Sequence, residues 1–222
     1  MVKTSRRSNK EHNILDAAER VFHRHGFTNA KMEWVGEEAG MSKASVYFYF
    51  ESKENLYMAI VYRALSLLND LMYAAIQQNK SENGLNSVVA LMNTYFDFSQ
   101  KYPLYTEAML DYTAVIRSTS AGNNEDKLSD ALKGSVYFMR LKDIHNIPVS
   151  IVVQEIKRGM EDGSIHDNRK PEMLYLSAWA MVLGYLKLTN LAGRKHSLHT
   201  VQLDEWKEYL IALIKHTLIH PV

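Results

Sequence analysis

The stretch GFTNAKMEWVGEEAGMSKASVYFYFESKENL, residues 26–56, packs two short helical patterns into very little chain. Met32, Val35, Gly36 and Ala39 share one face of the first pattern, which stops at Gly40. Residues 43–50 form the second, with Val46 and Phe50 at i and i+4 as anchors to a core. Two short helices joined by a tight, glycine-containing turn make a helix-turn-helix, which needs a third helix to bury its apolar faces. Residues 13–25 supply that helix. Ile14, Ala17, Ala18, Val21, Phe22 and His25 recur at helical spacing, Asp16, Glu19, Arg20 and Arg24 face away, and Gly26 ends the run. Downstream, Ser52 is a good N-cap for a fourth helix over 53–78, with Glu54 in its first turn.

The second pattern carries the chemistry. A short helix showing a lysine, small hydroxyls and tyrosines suits the major groove, whose width admits one helix. Lys43 can reach a guanine edge or a phosphate, while small Ala44 and Ser45 permit close approach or contact a thymine methyl. The Tyr47 hydroxyl can donate to a phosphate, a contact that sets register. Lys53 adds charge beside the free N–H groups that open the fourth helix. The expected DNA-facing set is Lys31, Ser42, Lys43, Ala44, Ser45, Tyr47, Phe48, Tyr49 and Lys53. The alternative for the aromatics is plain core packing, which stays open for Phe48 and Tyr49. Lys3, Arg6, Arg7 and Lys10 form a basic arm that can lie in the minor groove or serve only as a solubilising terminus.

The string GMSKASVYFYFESKENL, residues 40–56, closely resembles the recognition-helix signature of TetR-type repressors, G-V-S-x-G-T-L-Y-x-H-F-x-S-K-E-x-L. Gly40, Ser42, Tyr47, Phe50, Ser52, Lys53, Glu54 and Leu56 match, and the helix ending in Gly26-Phe27 matches upstream. Further along, VVQEIKRGMEDGSI looks like the segment before that family's last two helices. Four departures carry expectations. Ala30 stands where threonine is common, so Thr28 or Asn29 is expected to cap the second helix. Glu33 replaces a polar contact residue and is expected to point away from phosphates or accept from a cytosine amine. Trp34 falls at a usually polar position. Gly36 replaces an alanine, at a cost of about 1 kcal/mol in helix propensity.

Composition sets outer bounds. The chain has 222 residues, 46% hydrophobic and 23% charged, with few glycines and prolines, which favours long helices over many short strands. A net charge of +1 is low for a binder of phosphates, so positive charge must be concentrated by geometry. No cysteine is present, which removes disulfides and thiolate zinc sites and fits the cytoplasm. The basic start runs into a charged helix, against a secretory signal, and the apolar run 178–186 is too short for a membrane span. A soluble protein with no membrane partner is expected.

Beyond residue 53 the chain reads as helices over 85–101, 103–117, 125–144, 149–161, 171–190 and 203–219, with a loop at 118–124. Pro148 either kinks one helix or separates two. The expected fold is all-α with about nine helices, a three-helix DNA-binding domain over 1–52 and a ligand-binding and dimerisation domain over 53–222. Trp179, Met181, Tyr185 and Leu188 on a helix apolar all round, with Leu210 and Ile214 on the last, are the expected dimer interface. The resemblance implies the same two-helix pairing. Tyr95, Phe98, Tyr102, Met109, Tyr112 and Tyr137 are candidates for a small-molecule pocket, against the alternative of ordinary core. The resemblance implies that such an effector shifts the fourth helix and moves two recognition helices out of register on operator DNA.

An enzyme is the alternative class. No glycine-rich phosphate loop, H-E-x-x-H or G-x-S-x-G is present. His23 and His25 are placed two apart on a helix and cannot share an ion; His196 and His199 lack a third ligand, so no metal and no cofactor are expected. Two further readings keep the fold: a protein without a small-molecule sensor that acts constitutively on DNA or through a protein partner, and an adaptor that never touches DNA, which burial of Lys43 and Tyr47 would support.

Overall fold

The computed structural model describes residues 2–120, 130–191, 197–198 and 200–220. They form eleven helical segments, one of them a single turn, and one two-stranded ribbon. The chain divides into two compact units, Met1–Leu67 with Tyr102–His145, and Leu68–Lys101 with Asn146–Val222.

The first unit begins with α1 (Val2–Asn29), α2 (Met32–Ala39) and α3 (Lys43–Tyr49), followed by the first part of α4 (Lys53–Gln78). Ile14, Ala17, Ala18, Val21 and Phe22 on α1 are all at most 2% exposed, as their spacing predicts. Gly26 interrupts α1 with φ 71°, and the bend brings Phe27 against Phe22 and Tyr57 at ring separations of 5.6 and 4.2 Å. Gly40 closes α2 in a left-handed conformation. Arg20 and Arg24 both pair with Glu38, and the Asn13 amide donates to the Ala39 carbonyl at 2.9 Å, tying α1 to α2. By length and composition alone α4 is apolar enough to cross a membrane, yet Leu56, Ile60, Val61, Ala64 and Leu68 are buried as in a core helix.

The unit is completed by α6 (Pro103–Ser120), α7 (Asp130–Lys133) and α8 (Val136–Ile144). Three polar links join these to the N-terminal helices. The Tyr105 hydroxyl donates to Glu19 at 2.7 Å, Tyr57 donates to Asp111 at 2.8 Å, and Ser135 donates to Asn55 at 2.6 Å. Arg63 on α4 also spans Asp16 and Glu19 at 2.5 and 2.7 Å. Residues 118–120, expected as loop, continue α6, and 121–129 lie outside the described residues. The run expected over 125–144 is broken around Gly134, because Ser135 caps α8 by accepting from the Phe138 N–H.

The second unit holds the rest of α4, α5 (Gly84–Lys101), α9 (Ile147–Glu161), α10 (Pro171–Leu191), the ribbon β1 (Ser197–Leu198) and β2 (Val201–Gln202), and α11 (Leu203–Ile219). Pro148 sits in the first turn of α9, where its missing N–H costs nothing, so it separates two helices. The strands pair antiparallel, Ser197 with Gln202 and Leu198 with Val201. Helices α5 and α9 cross at backbone contact: a Cβ on Gly84 would lie 2.1 Å from the Gly159 nitrogen. The crossing is locked by Arg158, which donates to Glu155, to the Ser87 hydroxyl and to the Glu82 carbonyl.

The core of this unit includes Leu85, Phe96, Ile156, Val182, Leu186 and Leu218. It also includes Tyr185, Leu210 and Ile214, expected on a face between subunits but only 9, 7 and 1% exposed within their own. Helix α10 is apolar around its circumference, so hydropathy could not say which side turns inward. Trp179 and Met181 are half-buried and Leu188 is exposed. The outward ridge of α10 is Met173, Leu176, Ala180, Gly184 and Leu188.

Candidate nucleic-acid interface

The turn between α2 and α3 is held by its own backbone. The Gly40 and Met41 N–H groups donate to the Glu37 and Gly36 carbonyls at 3.1 and 2.8 Å. A Cβ on Gly36 would stand 2.8 Å from the Met41 carbonyl oxygen, so glycine there lets the turn fold onto α2. The propensity cost expected for Gly36 is therefore exchanged for a close approach. No side chain caps α2: Lys31 occupies the N-cap position, and neither Thr28 nor Asn29 takes that role. Ser42 caps α3 by accepting from the Ser45 N–H at 3.1 Å.

Val46 and Phe50 are fully buried, which fixes the rotation of α3. Lys43, Ala44, Tyr47 and Phe48 are then exposed, with Ser45 and Tyr49 half-buried and Ser42 exposed at the turn. Tyr47 is 39% and Phe48 72% exposed, so Phe48 is not a core residue and the adaptor reading loses its support. Lys43 pairs with Glu33 across the turn and lies 5.8 Å from the Tyr47 ring. The Lys43 ammonium holds the Glu33 carboxyl below its usual range, and Glu33 raises Lys43 in return. Glu33 is thus neutralised by Lys43 within the protein itself. Lys31 is exposed, its ammonium 5.2 Å from the Trp34 ring, which in turn packs on His25 at 4.6 Å.

Two cations take unexpected places. The Lys53 ammonium turns back and donates to the carbonyls of Phe27, Thr28 and Ala30 at 2.9, 3.0 and 3.2 Å. It joins the end of α1 to the start of α4, whose first free N–H groups Ser52 helps satisfy by accepting from Asn55. The basic arm is helical, part of α1. A helix about 10–12 Å across does not enter a minor groove about 6 Å wide. Arg7 instead pairs with Glu11 and lies 5.9 Å from the Phe48 ring and 6.0 Å from Tyr49. No motif announces that contact, because it joins residues forty apart in chain and depends on the rotation of α3.

The candidate pocket residues fall into both units. Tyr95 and Phe98 belong to the second, where Tyr95 meets Trp179 edge-on at 5.2 Å. Tyr102, Met109, Tyr112 and Tyr137 belong to the first. There Tyr102 stacks with Tyr105 at 5.6 Å, and Tyr137 lies 6.0 Å from both Phe50 and Tyr62. Tyr112 is buried against Phe138 and His145, and burial pushes its phenol up to about 12. Among the described residues, no group of three or more His, Asp or Glu side chains is arranged to hold a metal ion.

Residues 14–60, from the core of α1 into α4, match the family of bacterial regulatory proteins called the tetR family. The HTH-type transcriptional repressor AcnR of Corynebacterium diphtheriae is 21% identical over 161 residues, 68% of this chain and 77% of that repressor. This chain carries a tetR-family helix-turn-helix. RutR, an HTH-type transcriptional regulator of Escherichia coli, is 40% identical over 60 residues. That match spans 27% of this chain and 28% of RutR. The crystal structure of AibR in complex with isovaleryl coenzyme A and operator DNA shares the fold, with a TM-score of 0.61 and 16% identity over 96% of this chain and 100% of AibR.

Proposed function

We propose that this protein is a TetR-type transcriptional regulator, a cytoplasmic repressor. As a homodimer it holds two-fold symmetric operator DNA, and a small, largely apolar or aromatic molecule bound among the middle helices releases it. The observation that carries the reading is α3, anchored by Val46 and Phe50 and exposed on its opposite side. Residues 1–52 read the DNA through Lys31, Ser42, Lys43, Ala44, Ser45, Tyr47, Phe48 and Tyr49, and Lys53 secures the start of the sensing part, 53–222. One such helix reaches few base pairs, so two subunits on a two-fold site are the usual solution. The exposed apolar ridge of α10 suits that pairing.

For repression and for a bound effector, the support from relatives is AcnR's designation as a repressor and AibR's complex with isovaleryl coenzyme A and operator DNA. The support within this chain is Tyr112, whose buried hydroxyl finds no hydrogen-bond partner among the described residues. A lone donor among aromatic rings suits a mostly apolar ligand with one acceptor. Tyr137 sits against Phe50 at the end of α3, so a ligand that displaces α8 also disturbs the reading helix. Such a ligand must bind the released state more tightly than the DNA-bound one.

The test is binding of the purified protein to DNA upstream of its own gene across a salt series, with Lys43→Ala and Tyr47→Phe beside wild type. Tight, salt-sensitive binding weakened by either substitution supports the reading and provides the assay for effectors. Absence of sequence-specific binding at low salt by a folded dimer would count against it.

A further inference from the structure

The outward side of α3 is apolar along its centre line. At about 100° per residue, Phe48 lies about 200° and Ala44 about 160° around from Val46, the buried anchor. These two, one turn apart, therefore form the ridge opposite the core, with Lys43 and Tyr47 on one flank and Ser45 on the other. Ala44 is small enough to let the helix approach. Phe48 projects beyond it, 72% exposed. Its ring is also braced: Tyr49 meets it edge-on at 5.3 Å, and the Arg7 guanidinium lies 5.9 Å from its centre. Arg7 is held in turn by Glu11 at 3.1 Å.

A phenyl ring at the crest has no hydrogen bond to offer. Among the features displayed by base pairs in the major groove, one is apolar, the C5-methyl of thymine. Every other group there is a donor or acceptor that the ring would strip of water without compensation. We propose that Phe48 is a specificity-determining residue that packs on a thymine methyl, so each operator half-site carries a thymine at the step beneath it. Arg7 and Tyr49 act as positioning residues that fix the ring. The inference deepens, and rests on, the operator-binding reading above.

The test begins by selecting a duplex from a random library with the purified full chain. Each thymine of the selected site is then replaced by uracil, which removes only the methyl group, symmetrically in both half-sites. Affinities are measured for wild type, Phe48→Ala and Phe48→Leu. One thymine position should weaken wild-type binding about fourfold per half-site, the worth of burying one methyl group. Phe48→Ala should bind the thymine and uracil forms of that position equally, and Phe48→Leu should keep part of the difference. A uracil profile for both variants that matches wild type, flat or not, overturns the proposal and redirects Phe48 towards a protein partner. Failure to select any duplex with a folded dimer is a separate outcome, which removes the operator-binding reading and this inference together.

Discussion

Glu33 and Lys43 face each other on the rim of the proposed DNA-reading surface, both about half exposed. Such a pair adds little stability, so its consequence is for binding. A lysine held by a carboxylate is withheld from phosphates. Glu33→Gln should free it, raising affinity for unrelated DNA and steepening the salt dependence, with the slope of log K against log salt more negative by about 0.9 per subunit. An unchanged slope would show that Lys43 stays committed elsewhere. At Gly36 two effects oppose each other. Alanine gains about 1 kcal/mol in helix propensity, but its Cβ meets a backbone oxygen at 2.8 Å that belongs to a tight turn. Overpacking of that kind costs about 1–3 kcal/mol. Gly36→Ala should therefore lower the denaturation midpoint and weaken operator binding; a gain in stability would mean that the turn yields.

Between elements, the link to test is the one that joins α6 to α1. Tyr105 donates to Glu19, which Arg63 also holds, and burial together with Glu19 pushes the Tyr105 phenol up so that it stays a donor. Tyr105→Phe removes a hydrogen bond to a charged acceptor, expected to cost about 1.5–3 kcal/mol. A urea-denaturation cycle with Glu19→Gln should show non-additive losses, and purely additive ones would break the assignment. Because the phenol is raised, its stabilising effect is complete below the ordinary tyrosine pKa near 10 and is lost as pH climbs beyond it. None of these pairs was legible in the sequence. Periodicity marks which side of a helix is apolar, and so α1 to α4 were readable from Ile14, Val46, Phe50 and Ser52. It does not say which polar residue of one helix meets which of another, so the Lys53 carbonyl contacts, the Arg7–Phe48 contact and the Glu33–Lys43 pair appeared only in three dimensions. The short ribbon at Ser197 and Val201 was missed for a related reason, since two paired residues per strand leave no alternation to detect.

At the scale of the whole molecule, the proposed pairing turns on which side of α10 is free. Its hydropathy gives no direction, because apolar residues surround the axis, and of the six residues that the sequence offers for a dimer face, Tyr185, Leu210 and Ile214 lie in the subunit's own core. Exposure separates the two roles. Leu176 is 61% exposed and Leu188 45%, on the ridge shared with Met173, Ala180 and Gly184, whereas Ile214 is 1% exposed. The substitutions should accordingly fail in different ways. Ile214→Ala removes buried methylenes and should cost about 2–5 kcal/mol of stability. Leu176→Asp leaves the subunit's own core untouched but places a charge where a second subunit would have to bury it, a penalty of several kcal/mol for an unpaired ion. Sedimentation should then find Leu176→Asp as a helical monomer. Its operator binding should collapse even though α3 is intact, because each half-site is bound alone and the gain from linking two readers is lost. A Leu176→Asp protein that remains dimeric would place the pairing surface away from this ridge, with the exposed Tyr209 and Leu213 of α11 as the next residues to charge.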